Sequence, residues 1–190
     1  MTSAPVKILT SLPKGQHQMF RNLEVVWGAG ESPVHVVIDG YQEEAIKLCQ
    51  LFSYEFRLHR PQGNTKDNTR ANMNIGFALW SVFNTYQQYN KAIILEDDLL
   101  LSPDLLSYFH QVSHLLDEDE NENLSHVSAF GQNSYPLVAA NLSTILRVEM
   151  YPQYGWLTTR KWFNWTSTYW VPEGVRFPYH LNEYNIALQI

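Results

Sequence analysis

Apolar and polar positions along the chain follow two alternating periods. Val6-Lys7-Ile8-Leu9-Thr10 and Val34-His35-Val36-Val37-Ile38 are short runs rich in branched residues and predict strands, the second closed by Asp39-Gly40. Between them, Ser11 to Gly15 reads as a turn and Gln18 to Leu23 has helical spacing. From Glu43 to Phe52, the residues Ala45, Ile46, Leu48, Leu51 and Phe52 recur near every 3.6 positions, which predicts a helix. Tyr54-Glu55-Phe56-Arg57-Leu58 then alternates with period two, as a third strand does, so the opening third reads βαβαβ. A polar loop from Pro61 to Asn68 leads to a helix over Asn72–Tyr86, marked by Met73, Phe77, Leu79, Trp80 and Phe83. Ala92-Ile93-Ile94-Leu95 is a buried strand. Ser102-Pro103-Asp104 predicts a helix start, with Ser102 as N-cap and Leu105, Leu106, Phe109 and Val112 on the covered face. Ser125 to Phe130 supplies a further strand.

Strands alternating with helices predict an α/β fold: a mostly parallel, twisted sheet with helices on both faces. Ligands of such sheets bind outside the carboxyl ends of the strands. Two acidic features stand at those ends, Asp39 and the run Glu96-Asp97-Asp98. Three consecutive carboxylates repel one another unless a cation or hydrogen-bond donors compensate, and their oxygens suit hard ions such as Mg²⁺ or Mn²⁺. An acidic turn solvated by water accounts for the same triplet.

Composition narrows the classes. The 190 residues fit one domain, and 45% hydrophobic content is enough for a packed core. Nineteen acidic against thirteen basic residues give a net charge of -6 with no Lys/Arg cluster, which excludes a nucleic-acid phosphate track. No segment has a signal-peptide pattern or the apolar length of a membrane span. Cys49 is alone in the chain and sits in a helical apolar pattern, so it reads as a small packed hydrophobe. The run Asp117 to Glu122 reads as a solvated charged loop. Glycosylation triplets occur at Asn123, Asn141 and Asn164.

One ordered series of short motifs runs through the chain: Val37-Ile38-Asp39-Gly40 with Glu43-Glu44, Leu95-Glu96-Asp97-Asp98-Leu99, Pro103-Asp104, Val127-Ser128-Ala129-Phe130 and Tyr154-Gly155-Trp156. The series resembles the β-1,2-N-acetylglucosaminyltransferase I family and its protein-O-mannose relatives, the latter also through Asn68-Thr69-Arg70. The resemblance implies a nucleotide-diphospho-sugar transferase (A-type glycosyltransferase) fold, in which residues 1–116 form the nucleotide-binding half and 117–190 begin the acceptor-side half. It implies an inverting enzyme that uses Mn²⁺, with UDP-GlcNAc as donor and a mannose-bearing glycan or glycoprotein as acceptor, in the Golgi. Carried over position by position, it makes Asp98 the metal ligand, with Glu96 and Asp97 around the nucleotide and sugar. Asp39 falls at the nucleotide, and Trp156 on the acceptor side as a sugar-stacking face or a core residue.

The departures from that pattern are specific. Thr10-Ser11-Leu12-Pro13-Lys14 lacks the family's Arg after the first strand, leaving only Lys14 basic there. Asn74-Ile75 stands where the family has His-Tyr, so Asn74 is the candidate nucleotide contact. The family's base, an Asp in a Trp-rich motif, has no counterpart; Glu173, His180 and Glu183 are the titratable candidates, and the catalytic residue is unassigned. A non-catalytic or truncated relative that keeps only nucleotide or glycan binding is the alternative. An α/β domain with a merely acidic strand end ranks below both.

Overall fold

A computed structural model describes residues 6–11, 16–31, 33–63, 69–119, 124–131, 141, 143–149, 154–167 and 186–189. The predicted βαβαβ opening is present as β1 (Val6–Ser11), α1 (Gln16–Val25), β2 (Val34–Asp39), α2 (Glu43–Leu51) and β3 (Glu55–His59). A 3₁₀ turn at Ala29–Glu31 precedes β2. Helix α3 (Thr69–Thr85) and strand β4 (Lys91–Glu96) follow, then α4 (Leu105–Val112), the short α5 (Leu115–Glu118) and β5 (Leu124–Ser128). The remainder contributes β6 (Leu146–Glu149), β7 (Trp156–Thr159), α6 (Arg160–Thr166) and β8 (Ile186–Gln189).

The strands form one sheet in the order β3-β2-β1-β4-β7-β5-β8-β6. Strands β3, β2, β1 and β4 are mutually parallel, whereas β7 runs antiparallel to both β4 and β5. The expected parallel character therefore holds on one side, and antiparallel pairs mix into the other. Because β7 returns to β4, a single sheet carries both halves of the chain.

Period-two alternation divides the core. Val36, Ile38, Ile93 and Leu95 face α1, α2 and α4, packing with Phe20, Leu23, Leu48 and Phe109. Val37, Ala92, Ile94 and Trp156 face the other way, against Ile75, Ala78, Leu79 and Val82 of α3 and Phe163 of α6. Strands buried on both faces read as unbroken apolar runs, which is why β4 was so visible in the sequence. Cys49 is buried, and that burial pushes its thiol up to about 11, the environment of an inert thiol.

Three local expectations are corrected. Helix α4 starts at Leu105 with Asp104 in the cap position; Ser102 instead donates its hydroxyl to the Asp104 carboxylate, and Leu105 N–H bonds the Ser102 carbonyl at 3.1 Å. The Asp117–Glu122 run is not simply solvated: Asp117 pairs with Lys91 at 2.5 Å, and Asp119 accepts from Leu124 N–H at 2.5 Å. Trp156 is only 2% exposed, edge-on to Trp162 and His126, so its ring belongs to the core and offers no open face to a sugar. The turn at Leu12–Gly15, the loop residues 64–68, residues 120–123 with Asn123, and the tail holding Glu173, His180 and Glu183 lie outside the described residues. Among the described residues, no helix is long and apolar enough to cross a membrane.

Candidate functional site

Register places the acids at one edge of the sheet. Ile38 is level with Ser11, and Thr10 with Glu96, so the carboxyl ends of β1, β2 and β4 open together. Asp39 also pairs with His59 at the end of β3. The antiparallel β7 begins at this same edge, opposite Ile94, and β5 ends there with Ser128 opposite Trp156. Two strand spacings separate β2 from β4, about 10 Å across the sheet.

At the β2 end, Asp39 is a buried carboxylate held from two sides. His59 Nδ1 lies 3.1 Å from Oδ1, and Arg70 Nε donates to Oδ2 at 2.5 Å. The Asp39 side chain has no exposed surface, whereas that of Arg70 is 29% exposed. A neighbouring guanidinium supplies the charge that makes burial of a carboxylate tolerable. Phe77 stacks on the His59 ring at 4.8 Å and fixes it from the α3 side. Gly40 and Gly63 both take positive φ, +91° and +89°. A side chain at Gly63 would meet the Arg70 backbone nitrogen at 2.8 Å, so glycine lets the loop close onto the start of α3, where Arg70 sits.

Arg70, named in the sequence only within Asn68-Thr69-Arg70, is the basic side chain that reaches the end of β2. It enters from α3, 31 positions after Asp39, and such a separation has no local signature. Asn74 lies one helical turn further along α3, 3% exposed, and its Oδ1 is buried without a hydrogen-bond partner among the described residues. An unpaired buried carbonyl oxygen is costly, which marks Asn74 as an acceptor awaiting a donor.

At the β4 end the three acids have three environments. Glu96 is partly covered, and desolvation first, then the Asp98 charge, raises its carboxyl above the ordinary range; a backbone hydrogen bond from Tyr154 opposes both. Asp97 is buried at 7% exposure and has interactions of its own. Asp98 is exposed. Among the described residues, no three His, Cys, Asp or Glu side chains converge as a metal-binding group. The chemistry of Asp98 nevertheless fits a hard cation completed by other oxygens: it is an accessible carboxylate whose charge acts on Glu96, a group of the same sign.

Tyr154 and Gly155 shape the approach to these acids. Both adopt left-handed φ, +52° and +95°, which turns the chain sharply into β7 and aims the Tyr154 N–H at Glu96. The Gly155 carbonyl then accepts from Ala129 N–H at 2.9 Å, tying the end of β5 to this turn.

Comparison with known proteins adds a family and a fold. The GNT-I family profile matches residues 68–175, the stretch from the start of α3 past Trp156. An Arabidopsis thaliana alpha-1,3-mannosyl-glycoprotein 2-beta-N-acetylglucosaminyltransferase is 26% identical over 88 residues, which are 44% of this chain and 19% of that protein. Among solved structures, glucosyl-3-phosphoglycerate synthase from Mycobacterium tuberculosis with Mn²⁺, UDP and glucosyl-3-phosphoglycerate superposes with a TM-score of 0.52 at 9% identity, covering 83% of this chain and 57% of that one. The same enzyme with Mn²⁺, UDP-glucose and phosphoglyceric acid gives 0.53. At such identity the likeness shows the fold alone, the nucleotide-diphospho-sugar transferase architecture. The chain spans about a fifth of the curated relative and just over half of the solved chains.

Proposed function

Since this chain belongs to the GNT-I family, we propose that it is a glycosyltransferase domain that takes UDP-GlcNAc as donor and a mannose-bearing glycan as acceptor. The observation that carries this reading is the common edge formed by the ends of β1, β2 and β4, with an exposed carboxylate at Asp98 just past β4 and the Arg70 guanidinium held at the end of β2 by Asp39. A nucleotide diphosphate has both an anionic centre and a neutral, hydrogen-bonding end, and one edge offers groups for the two together.

In this reading Arg70 is the donor-binding cation on the nucleotide side. Asp39 engages Nε and so fixes the guanidinium plane, which leaves the Nη hydrogens to donate to oxygens of the ligand. Asp39 is thus a positioning residue rather than a direct nucleotide contact, since its carboxylate is covered and doubly engaged. Asn74, covered like Asp39, would act from behind the ligand rather than on it. Asp98 would hold Mn²⁺, and that ion, when bound, offsets negative charge on the diphosphate. Glu96 and Asp97 would lie around the nucleotide and sugar. Transfer with inversion requires the acceptor hydroxyl to lose its proton as it attacks the anomeric carbon and UDP departs. None of the described residues is assigned that proton.

A calorimetric panel of UDP-GlcNAc, UDP-glucose and GDP-mannose, each with Mn²⁺, tests the donor assignment. The reading expects uridine nucleotides to bind and UDP-GlcNAc to bind at least as well as UDP-glucose. Equal affinity for GDP-mannose would overturn the uridine assignment, and absence of binding to all three would overturn the transferase reading.

A further inference from the structure

Two exposed aromatic rings stand at the edge of the sheet, on the side of the acids away from Arg70. Phe130 is 39% exposed just beyond β5, and Tyr154 is 45% exposed just before β7. Their rings meet edge to face, centroids 4.8 Å apart and planes at 81°. An edge-on partner fixes the orientation of each ring while leaving surface open, the condition for a stacking platform.

The backbone beneath them is unusually determined. Ser128 accepts from Phe130 N–H at 3.2 Å and donates to the Phe130 carbonyl at 3.1 Å, while Tyr108 donates to the Ser128 carbonyl at 3.0 Å. Tyr154 has a left-handed φ that is unfavourable for a side-chain-bearing residue, and the hydrogen bond from its own N–H to Glu96 helps hold it there. A strained residue carrying an exposed ring, tied through its backbone to the acid edge, is a functional arrangement rather than a packing one. Trp156, the aromatic that the sequence put forward for this role, is buried two positions away.

We propose that Phe130 and Tyr154 form a stacking platform for a pyranose ring beside Glu96. The proposal rests on the glycosyltransferase reading and adds the residues that take the sugar. A pyranose presents an apolar face of C–H groups and an equatorial rim of hydroxyls, which suits an exposed ring bordered by carboxylates. The sugar is either that of the donor or that of the acceptor, and both share this chemistry.

The test measures binding of UDP, UDP-GlcNAc and a mannose-terminated oligosaccharide to the wild-type chain and to Tyr154→Asn, Phe130→Ala and Tyr154→Phe. Asn tolerates left-handed φ, so Tyr154→Asn removes the ring while keeping the turn, and Tyr154→Phe keeps the ring. UDP affinity should stay within about twofold in all variants, reporting an intact acid edge. Tyr154→Asn and Phe130→Ala should weaken one saccharide on the order of tenfold, with Tyr154→Phe near wild type. Loss confined to UDP-GlcNAc assigns the platform to the donor sugar, and loss confined to the oligosaccharide assigns it to the acceptor. Saccharide binding unchanged in both ring-deleting variants, no saccharide binding by a wild type that binds UDP, or UDP affinity falling in parallel would each overturn the platform. A wild-type chain that binds none of the three would instead overturn the transferase reading on which it rests.

Discussion

Arg70 Nε donates to Asp39 Oδ2 at 2.5 Å, joining the first turn of α3 to the end of β2 across 31 residues. This bond fixes a cation at the end of β2, the side proposed for the nucleotide. Arg70→Met should weaken UDP about tenfold to a hundredfold through loss of charge-assisted hydrogen bonds; it also strands the buried Asp39 carboxylate and should lower the melting temperature, so the titration is run well below that temperature. Asp39→Asn should weaken UDP as well, by freeing the guanidinium it holds. Isothermal titration with UDP checks both, and wild-type affinity in Arg70→Met would contradict the assignment.

Acid should destabilise the fold through two buried imidazoles. Burial lowers His126 to about 3 and, against an opposing Glu55 charge, lowers His35 to about 4. Their folded values lie below the unfolded value of 6.5, so the unfolded chain binds more protons at intermediate pH. Stability is then fully present above pH 6.5 and falls as pH drops toward 4 for His35 and toward 3 for His126, by up to ~1.4 kcal/mol per pH unit for each. Urea midpoints measured from pH 7 to pH 4 check the slope, and a flat profile would contradict it.

Lys91 is the buried cation of the opposite sheet end, 2% exposed, with Ser113 carbonyl at 3.0 Å and Asp117 at 2.5 Å as partners. Asp117→Ala strands the ammonium and should cost about 2–3 kcal/mol, less than the ~3–5 of a fully buried pair because Asp117 is 42% exposed. Lys91→Met combined with Asp117→Leu should recover most of that loss. Chemical denaturation distinguishes the outcomes: a double variant no more stable than Asp117→Ala would show that the ion pair does more than compensate its own burial.

Arg160 closes α3. Its guanidinium donates to the Phe83 carbonyl in the last turn of the helix at 2.6 Å and to the Tyr86 and Tyr89 carbonyls of the loop that follows at 3.0 and 2.7 Å. Arg160→Met should lower stability by about 2–3 kcal/mol. Thermal melting monitored by circular dichroism checks this, and an unchanged midpoint would mean water replaces the cap without loss.

What the sequence made legible was local or periodic. Strand β4 was visible because burial on both faces leaves an unbroken apolar run, and α2 and α3 because their core residues recur at helical spacing. The acids at Asp39 and Glu96-Asp97-Asp98 were found as breaks in those runs. Partners distant in sequence were invisible: His59 and Arg70 close on Asp39 only after β2, β3 and α3 assemble. Trp156 stayed open between a sugar-stacking face and a core residue because its Gly-Trp context says nothing of the antiparallel return that drives it between β4 and β5. Strands β6 and β8 went unread, since short strands in mixed pairing carry little periodic signal. The cap of α4 moved from Ser102 to Asp104 because the Ser hydroxyl found the Asp carboxylate first.

The proposed donor site, in which Asp98 would serve the metal, is tested by calorimetric titration of UDP-GlcNAc into the wild-type chain and Asp98→Ala, with and without Mn²⁺. Asp98 is exposed, so its removal should leave the melting temperature nearly unchanged. The account predicts Mn²⁺-dependent binding by the wild type and loss of the Mn²⁺ dependence in Asp98→Ala. Binding that is indifferent to both Mn²⁺ and Asp98 would contradict it.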